Sequence, residues 1–161
     1  MVITTCLWFD GNAREAAQFY VSIFPESSIS GNWIAPTDTP SNEQGTEVVV
    51  DFTIFGQPFI ALNGGPYFTF SEAISFQIPC ADQAEIDHYW ELLTSDGGEP
   101  GRCGWLKDKF GVSWQVVSPQ MGQYLGGPHP AGAQAATEAM MKMDKIVLDD
   151  MRTAYEEAAS Q

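Results

Sequence analysis

The sequence predicts an α+β fold in which two βαβββ modules are followed by carboxy-terminal helices. Three observations carry that prediction. A strand-like run passes into an amphipathic helix and then into three strand-like runs, the same order returns in the second half, and the composition turns helical after a Gly/Pro break at 126–130. Duplicated units this short cannot each bury both faces of a sheet and must pair.

Residues 2–9 (VITTCLWF) are rich in β-branched and aromatic types and read as a buried strand. Asp10-Gly11-Asn12 breaks it, with Asn12 as N-cap and Glu15 as capping-box acid of a helix over 13–24 whose apolar stripe is 16, 19, 20, 23 and 24. Pro25 stops that helix. Strands follow at 28–35, 47–55 and 59–62, with a mobile Pro/Thr/Ser/Asn loop at 36–45. Gly56 at the first central position of Phe55-Gly56-Gln57-Pro58 reads as a type II′ hairpin. The second module opens with a strand over 73–78 and a helix over 83–94, capped by Asp82 and Glu85, with Ile86, Tyr89, Trp90 and Leu93 facing inward. Strands at 103–107 and 113–117 flank the Asp108–Gly111 turn. After Gly126-Gly127-Pro128-His129-Pro130 the chain reads as helix over 131–159, interrupted at 144–148, with Asp149 capping a last helix that packs Met151 and Tyr155 inward. The expected divisions are 1–66, 67–125 and 126–161, within a single 1–161 domain.

The 161 residues suit one domain, and a hydrophobic fraction of 44% with 12% aromatic suffices for a core. Seven Lys plus Arg against twenty-one Asp plus Glu give a net charge of −14, with the acids scattered from Asp10 to Glu157. Such a field repels phosphate backbones and anionic bilayers, so neither nucleic acid nor membrane is expected as a partner. The start, Met1 to Thr5, has no basic region before an apolar stretch, and no run approaches the roughly 20 apolar residues of a membrane span. Three cysteines, Cys6, Cys80 and Cys103, have no metal-like spacing and suit a reducing compartment, so the expected location is the cytoplasm.

Residues 7–25 (LWFDGNAREAAQFYVSIFP), 61–80 (ALNGGPYFTFSEAISFQIPC), 103–119 (CGWLKDKFGVSWQVVSP) and 139–143 (AMMKM) carry a further signal. Across nearly the whole chain they resemble the PhnB-like family of the glyoxalase/bleomycin-resistance, or vicinal oxygen chelate, superfamily. The resemblance implies the glyoxalase/bleomycin-resistance/dihydroxybiphenyl dioxygenase fold, a cupped mixed sheet around a cavity, and a homodimer with intact or exchanged modules. Many members carry the name of a 3-demethylubiquinone-9 3-methyltransferase, and the PhnB name comes from phosphonate-utilisation gene neighbourhoods. Neither name is a mechanism.

Metal-dependent relatives hold a divalent ion with four His, Glu or Gln side chains, from the first and last strand of each module. Carried onto this sequence, those positions fall on Thr5, Ala61 or Asn63, Ala73 and Gln115, of which only Gln115 is a ligand type. Thr4, Cys6, Leu62, Ile74, Trp114 and Val116 beside them are no better, and Glu72 alone is acidic. His88 on the second helix and His129 in the linker fall outside the strands. A metal-free cavity with no cofactor is therefore expected. The glycine pairs at 64–65, 97–98 and 126–127 sit at a strand end, a helix end and a linker, so no S-adenosylmethionine motif is visible.

Amides at positions where relatives keep ligands need partners if buried, which makes Asn63 and Gln115 candidates for orienting a small polar ligand, against ordinary sheet-edge hydrogen bonding. The expected ligand-binding residues are Thr5, Asn63, Ala73 and Gln115, with Trp8 and Trp105 as walls. Loss of charged ligands and the −14 charge favour a hydrophobic or zwitterionic ligand over a multiply charged anion, unless Arg14, Arg102, Lys107 or Lys109 reaches the cavity. Cys103 reads as a small packed residue rather than a nucleophile, and Met140, Met141 and Met143 as packing on the sheet or a dimer mate. Three functions stay open: a metal-free small-molecule binder, a small lyase, isomerase, dioxygenase or methyltransferase, and a dimeric interaction module with a vestigial cavity.

Overall fold

The computed structural model describes residues 3–160. Strand β1 (Thr5–Phe9) leads into α1 (Ala13–Ile23), and β2 (Ser28–Ile34), β3 (Glu47–Ile54) and β4 (Gln57–Asn63) follow. Val2, where the first strand was expected to start, lies outside the described residues. The chain groups into two units, one ending at Phe70 and the other beginning at Ser71.

In the first unit the strand order is β1-β4-β3-β2, with β1 parallel to β4 and the rest an antiparallel meander. Burial alternates residue by residue along β3, so Val48, Val50, Phe52 and Ile54 form one apolar face. Helix α1 covers that face. Ala13, Ala16 and Ala17 are fully buried and let its backbone come close, and Tyr20 stacks on Phe52 with ring centroids 6.0 Å apart.

Three local expectations are corrected here. The β3–β4 ladder closes at Ile54↔Gln57, so the two-residue turn is Phe55-Gly56, and φ is +49° and +71° at the two positions. Positive φ at both central residues is the type I′ pattern, not II′. Phe55 tolerates it because its amide donates to Ser27 Oγ at 3.2 Å, its ring packs on Phe24, and Gly56 N–H donates to Glu26 O at 2.9 Å. The Asn12 side chain makes no cap bond to α1. The 36–45 loop is tied down by Asn42 Nδ2 to Asn63 O (2.7 Å), Gln44 N–H to Asp38 Oδ1 (2.8 Å) and Asn42 N–H to Thr39 Oγ1 (2.9 Å).

The second unit repeats the plan. Its elements are β5 (Phe76–Pro79), α2 (Gln83–Thr94), a 3-10 turn (Ser95–Gly97), β6 (Glu99–Pro100), β7 (Trp105–Lys107) and β8 (Ser113–Val117), in the order β5-β8-β7-β6. Helix α2 starts as expected: Glu85 N–H donates to Asp82 Oδ1 at 3.0 Å, and Glu85 Oε2 accepts from Ala81 N–H at 2.7 Å. The expected strand start at Ala73 is three residues early. Extending the parallel ladder backwards would need Val112, whose N–H and C=O are both engaged with Asp108 in the turn before β8. The 3-10 turn leads into β6, the short first strand after α2, whose position the sequence did not reveal.

The unit ends in α3 (Met121–Leu125), α4 (Pro130–Met140) and α5 (Leu148–Ala159). Asp149 does not cap α5. Val147 precedes the helix, and the Leu148 N–H is taken by Gln83 Oε1 of α2 at 2.8 Å, while Asp149 pairs with Arg152. Met151 and Ile146 are fully buried, as expected for Met151, and the half-buried Tyr155 accepts a bond from His129 N–H at 3.2 Å. Among the described residues, no helix is long and apolar enough to cross a membrane. Two four-stranded mixed sheets with helices make the fold α+β with a duplicated βαβββ plan, as the sequence predicts.

Candidate functional site

The two faces of the second sheet differ in chemistry. Ile78, Leu106, Trp114 and Val116 are buried on the face toward α2. Alternation places the neighbouring residues on the other face, where the register lines them up in two rows across the strands. One row is Trp105↔Gln115↔Gln77. The next is Glu99↔Lys107↔Ser113.

In the first row Gln115 Nε2 donates to Ser75 Oγ at 2.8 Å, and Gln77 Nε2 approaches Gln115 Oε1 at 3.5 Å, long for a hydrogen bond. Trp105 and Gln115, both half-buried, are thus cross-strand neighbours, as a shared site needs. Ala73 is exposed in the 71–75 turn and off the sheet. Its place in the row is taken by Gln77, which sequence reasoning missed. The even spacing from 73 to 77 was the available signal, because it kept the face while misplacing the strand start.

The second row borders a cavity of about 190 Å³ whose lining includes Glu72, Glu99, Pro100, Trp105, Lys107 and Ser113. The Lys107 ammonium pairs with the Glu72 carboxylate, which holds the lysine above its ordinary pKa and the glutamate below its own. Glu99, opposite Lys107 on the ladder, adds to the lysine's shift. Ser113 is only 2% exposed, and its Oγ has no hydrogen-bond partner among the described residues. Such a group leaves an unmet demand for a donor or acceptor.

In the first unit the register pairs Thr5 with Phe59, Leu7 with Ala61 and Phe9 with Asn63. Phe59 packs against Phe52 at 5.4 Å, so this is the face that α1 covers. Thr5 and Asn63, expected in the cup, therefore lie on the helix side, because a shift of one residue exchanges the faces of a strand. Asn63 is 8% exposed and hydrogen-bonded at both ends of its amide: Oδ1 accepts from Ala13 N–H at 2.9 Å and Nδ2 donates to Glu47 O at 2.8 Å. Trp8 lies on the opposite face. Its Nε1 donates to Gly65 O at 2.8 Å and its ring meets Phe68 edge-on at 4.9 Å. A Cβ at Gly64 would come within 2.2 Å of that ring, so only glycine admits it there.

The remaining reactive groups are dispersed. Cys103 sits in the turn before β7 with φ +57°, not on a strand, and its Sγ lies 3.5 Å from Met140 O. Met141 is 61% exposed. Burial, with Glu85 nearby, pushes the Cys80 thiol up to about 11. His88 packs edge-on to Tyr89 on α2 and His129 precedes α4. Among the described residues, no three His, Cys, Asp or Glu side chains come together as a group that could hold a metal ion.

The family model for 3-demethylubiquinone-9 3-methyltransferase matches residues 1–117, which contain both sheets and end before α3. No curated protein matches the chain. Among solved structures, the PhnB protein from Bacillus cereus is 36% identical with a TM-score of 0.63, covering 71% of this chain and 97% of its own. Protein PA1353 from Pseudomonas aeruginosa, 20% identical, shares the fold with a TM-score of 0.56 over 71% of this chain and 94% of its own. With both the family model and a 36%-identical relative matching, the chain belongs to the 3-demethylubiquinone-9 3-methyltransferase, or PhnB-like, family.

Proposed function

We propose that this chain binds a small molecule without a metal ion, on the β7/β8 face of its second unit. The observation that supports this reading is the row of neutral groups formed by Trp105, Gln115 and Gln77, with Ser75 hydrogen-bonded to Gln115. An amide offers both a donor and an acceptor and orients a polar ligand, whereas it holds a divalent ion weakly without imidazole or carboxylate beside it. Trp105 supplies the apolar platform. In the first unit Asn63 acts by fixing the start of α1 rather than by touching ligand.

The matched family's name favours a second reading, methyl transfer from S-adenosylmethionine. A thermal-shift screen of a metabolite set, run with and without Ni, Zn, Mn and Fe and including S-adenosylmethionine, separates the two. Metal-independent stabilisation by a small polar or zwitterionic compound is the expected result. Stabilisation only in the presence of a metal, or by S-adenosylmethionine alone, would reject the proposal. Assembly as a homodimer is part of the same reading and draws support from Tyr67, Phe68 and Ile74, which are 65%, 67% and 74% exposed. Light scattering should then give twice the 17.6 kDa chain mass.

A further inference from the structure

We propose that the cavity beside the Glu99–Lys107–Ser113 row takes a small organic ammonium ion carrying a hydroxyl group. This deepens the reading of the β7/β8 face as a small-molecule site and rests on it. Three ionisable side chains line the cavity: Glu72, Lys107 and Glu99. Lys107 is already matched by Glu72. Glu99 stands across the ladder from that same lysine and, among the described residues, has no ion pair of its own. The lining therefore carries one uncompensated negative charge, which a single cation neutralises. Trp105 contributes an aromatic surface, to which alkylammonium groups bind by cation–π attraction. Ser113 is the independent sign that a ligand belongs here, because the residue lines the cavity and its buried hydroxyl has no hydrogen-bond partner among the described residues. A ligand hydroxyl satisfies it as donor or acceptor. The chain's −14 charge draws small cations and repels anions, in the same direction as the local charge.

The test uses the full chain and three probes of one shape: choline, its neutral isostere 3,3-dimethylbutan-1-ol, and the anion 3,3-dimethylbutanoate. Binding is followed through the Trp105 indole resonance in ¹H–¹⁵N spectra. Choline is expected to bind about fivefold tighter than the neutral alcohol, from the combined ion-pair and cation–π contributions. Glu99→Gln should bring the two near parity. Ser113→Ala should weaken choline severalfold while leaving tetramethylammonium, which has no hydroxyl, unchanged. Equal or tighter binding of the anion would overturn the proposal and leave the small-molecule reading standing. If none of the three probes moves the Trp105 resonance, the proposal also fails, and the metabolite screen alone decides the broader reading.

Discussion

Asn63 Oδ1 accepts the Ala13 N–H at 2.9 Å, so the first amide of α1 is capped by a strand residue fifty positions away. Asn63→Leu keeps the volume but strands the Ala13 N–H and the Glu47 carbonyl together. Urea unfolding should show a loss of about 2–4 kcal/mol. Asn63→Asp retains the acceptor and should cost less. A loss below about 0.5 kcal/mol for the leucine variant would show that water replaces both bonds.

The Asp108 carboxylate organises the turn before β8. It is 2% exposed and accepts from Phe110 N–H (2.9 Å), Val112 N–H (3.0 Å) and Trp114 Nε1 (2.8 Å). Asp108→Ala leaves three donors unpaired and should destabilise by about 3–5 kcal/mol. Asp108→Asn presents an NH₂ to one of those donors and should fall between that variant and wild type. Equal stability of asparagine and aspartate at this position, measured by thermal unfolding, would contradict the donor count.

Cys80 predicts a specific alkaline response. Its thiol is pushed from an ordinary 9.0 to about 11 by burial, so between those values the unfolded chain releases a proton that the folded chain retains. The folded state is then progressively disfavoured: stability from this group is intact below pH 9 and declines as pH rises toward 11. Unfolding curves at pH 8 and pH 10.5 should show a steeper decline for wild type than for Cys80→Ala, by roughly 1–2 kcal/mol. Parallel declines would remove Cys80 as the cause.

Metal content is a separate prediction. Protein purified without a histidine tag should hold well under one equivalent of Ni, Zn, Mn or Fe per chain by elemental analysis. A near-stoichiometric ion would mean that Gln115 and its neighbours ligate after all.

The elements most legible in the sequence are those whose signals are local. Helix α2 spans 83–94 as predicted because Asp82 and Glu85 cap it from within the same turn, and β8 spans 113–117 because apolar alternation is bounded by the Asp108–Gly111 turn. Long-range capping was not legible. Asn12 and Asp149 carry the local cap signature, yet Asn63 and Gln83 provide the caps from 50 and 65 residues away, and no pattern of adjacent residues reports that. The β5 start was missed for a related reason: Asp108 engages the backbone that a longer ladder would need. At the candidate site, Gln115 and Trp105 fall opposite one another on the β7/β8 ladder, as the alternation of the two strands requires. Thr5 and Asn63 were placed on the wrong face because the alignment is one residue out of phase with the pleat.

Metal-free binding at the β7/β8 face is tested most directly by titrating the best compound from the metabolite screen into the isotope-labelled chain in excess EDTA, with Gln115→Ala in parallel. The wild-type Trp105 indole and the Gln115 and Gln77 side-chain amide resonances should move on binding. The Gln115→Ala variant should remain folded and bind roughly 1–3 kcal/mol more weakly. Shifts that appear only after a divalent ion is restored, or unchanged affinity in Gln115→Ala, would contradict it.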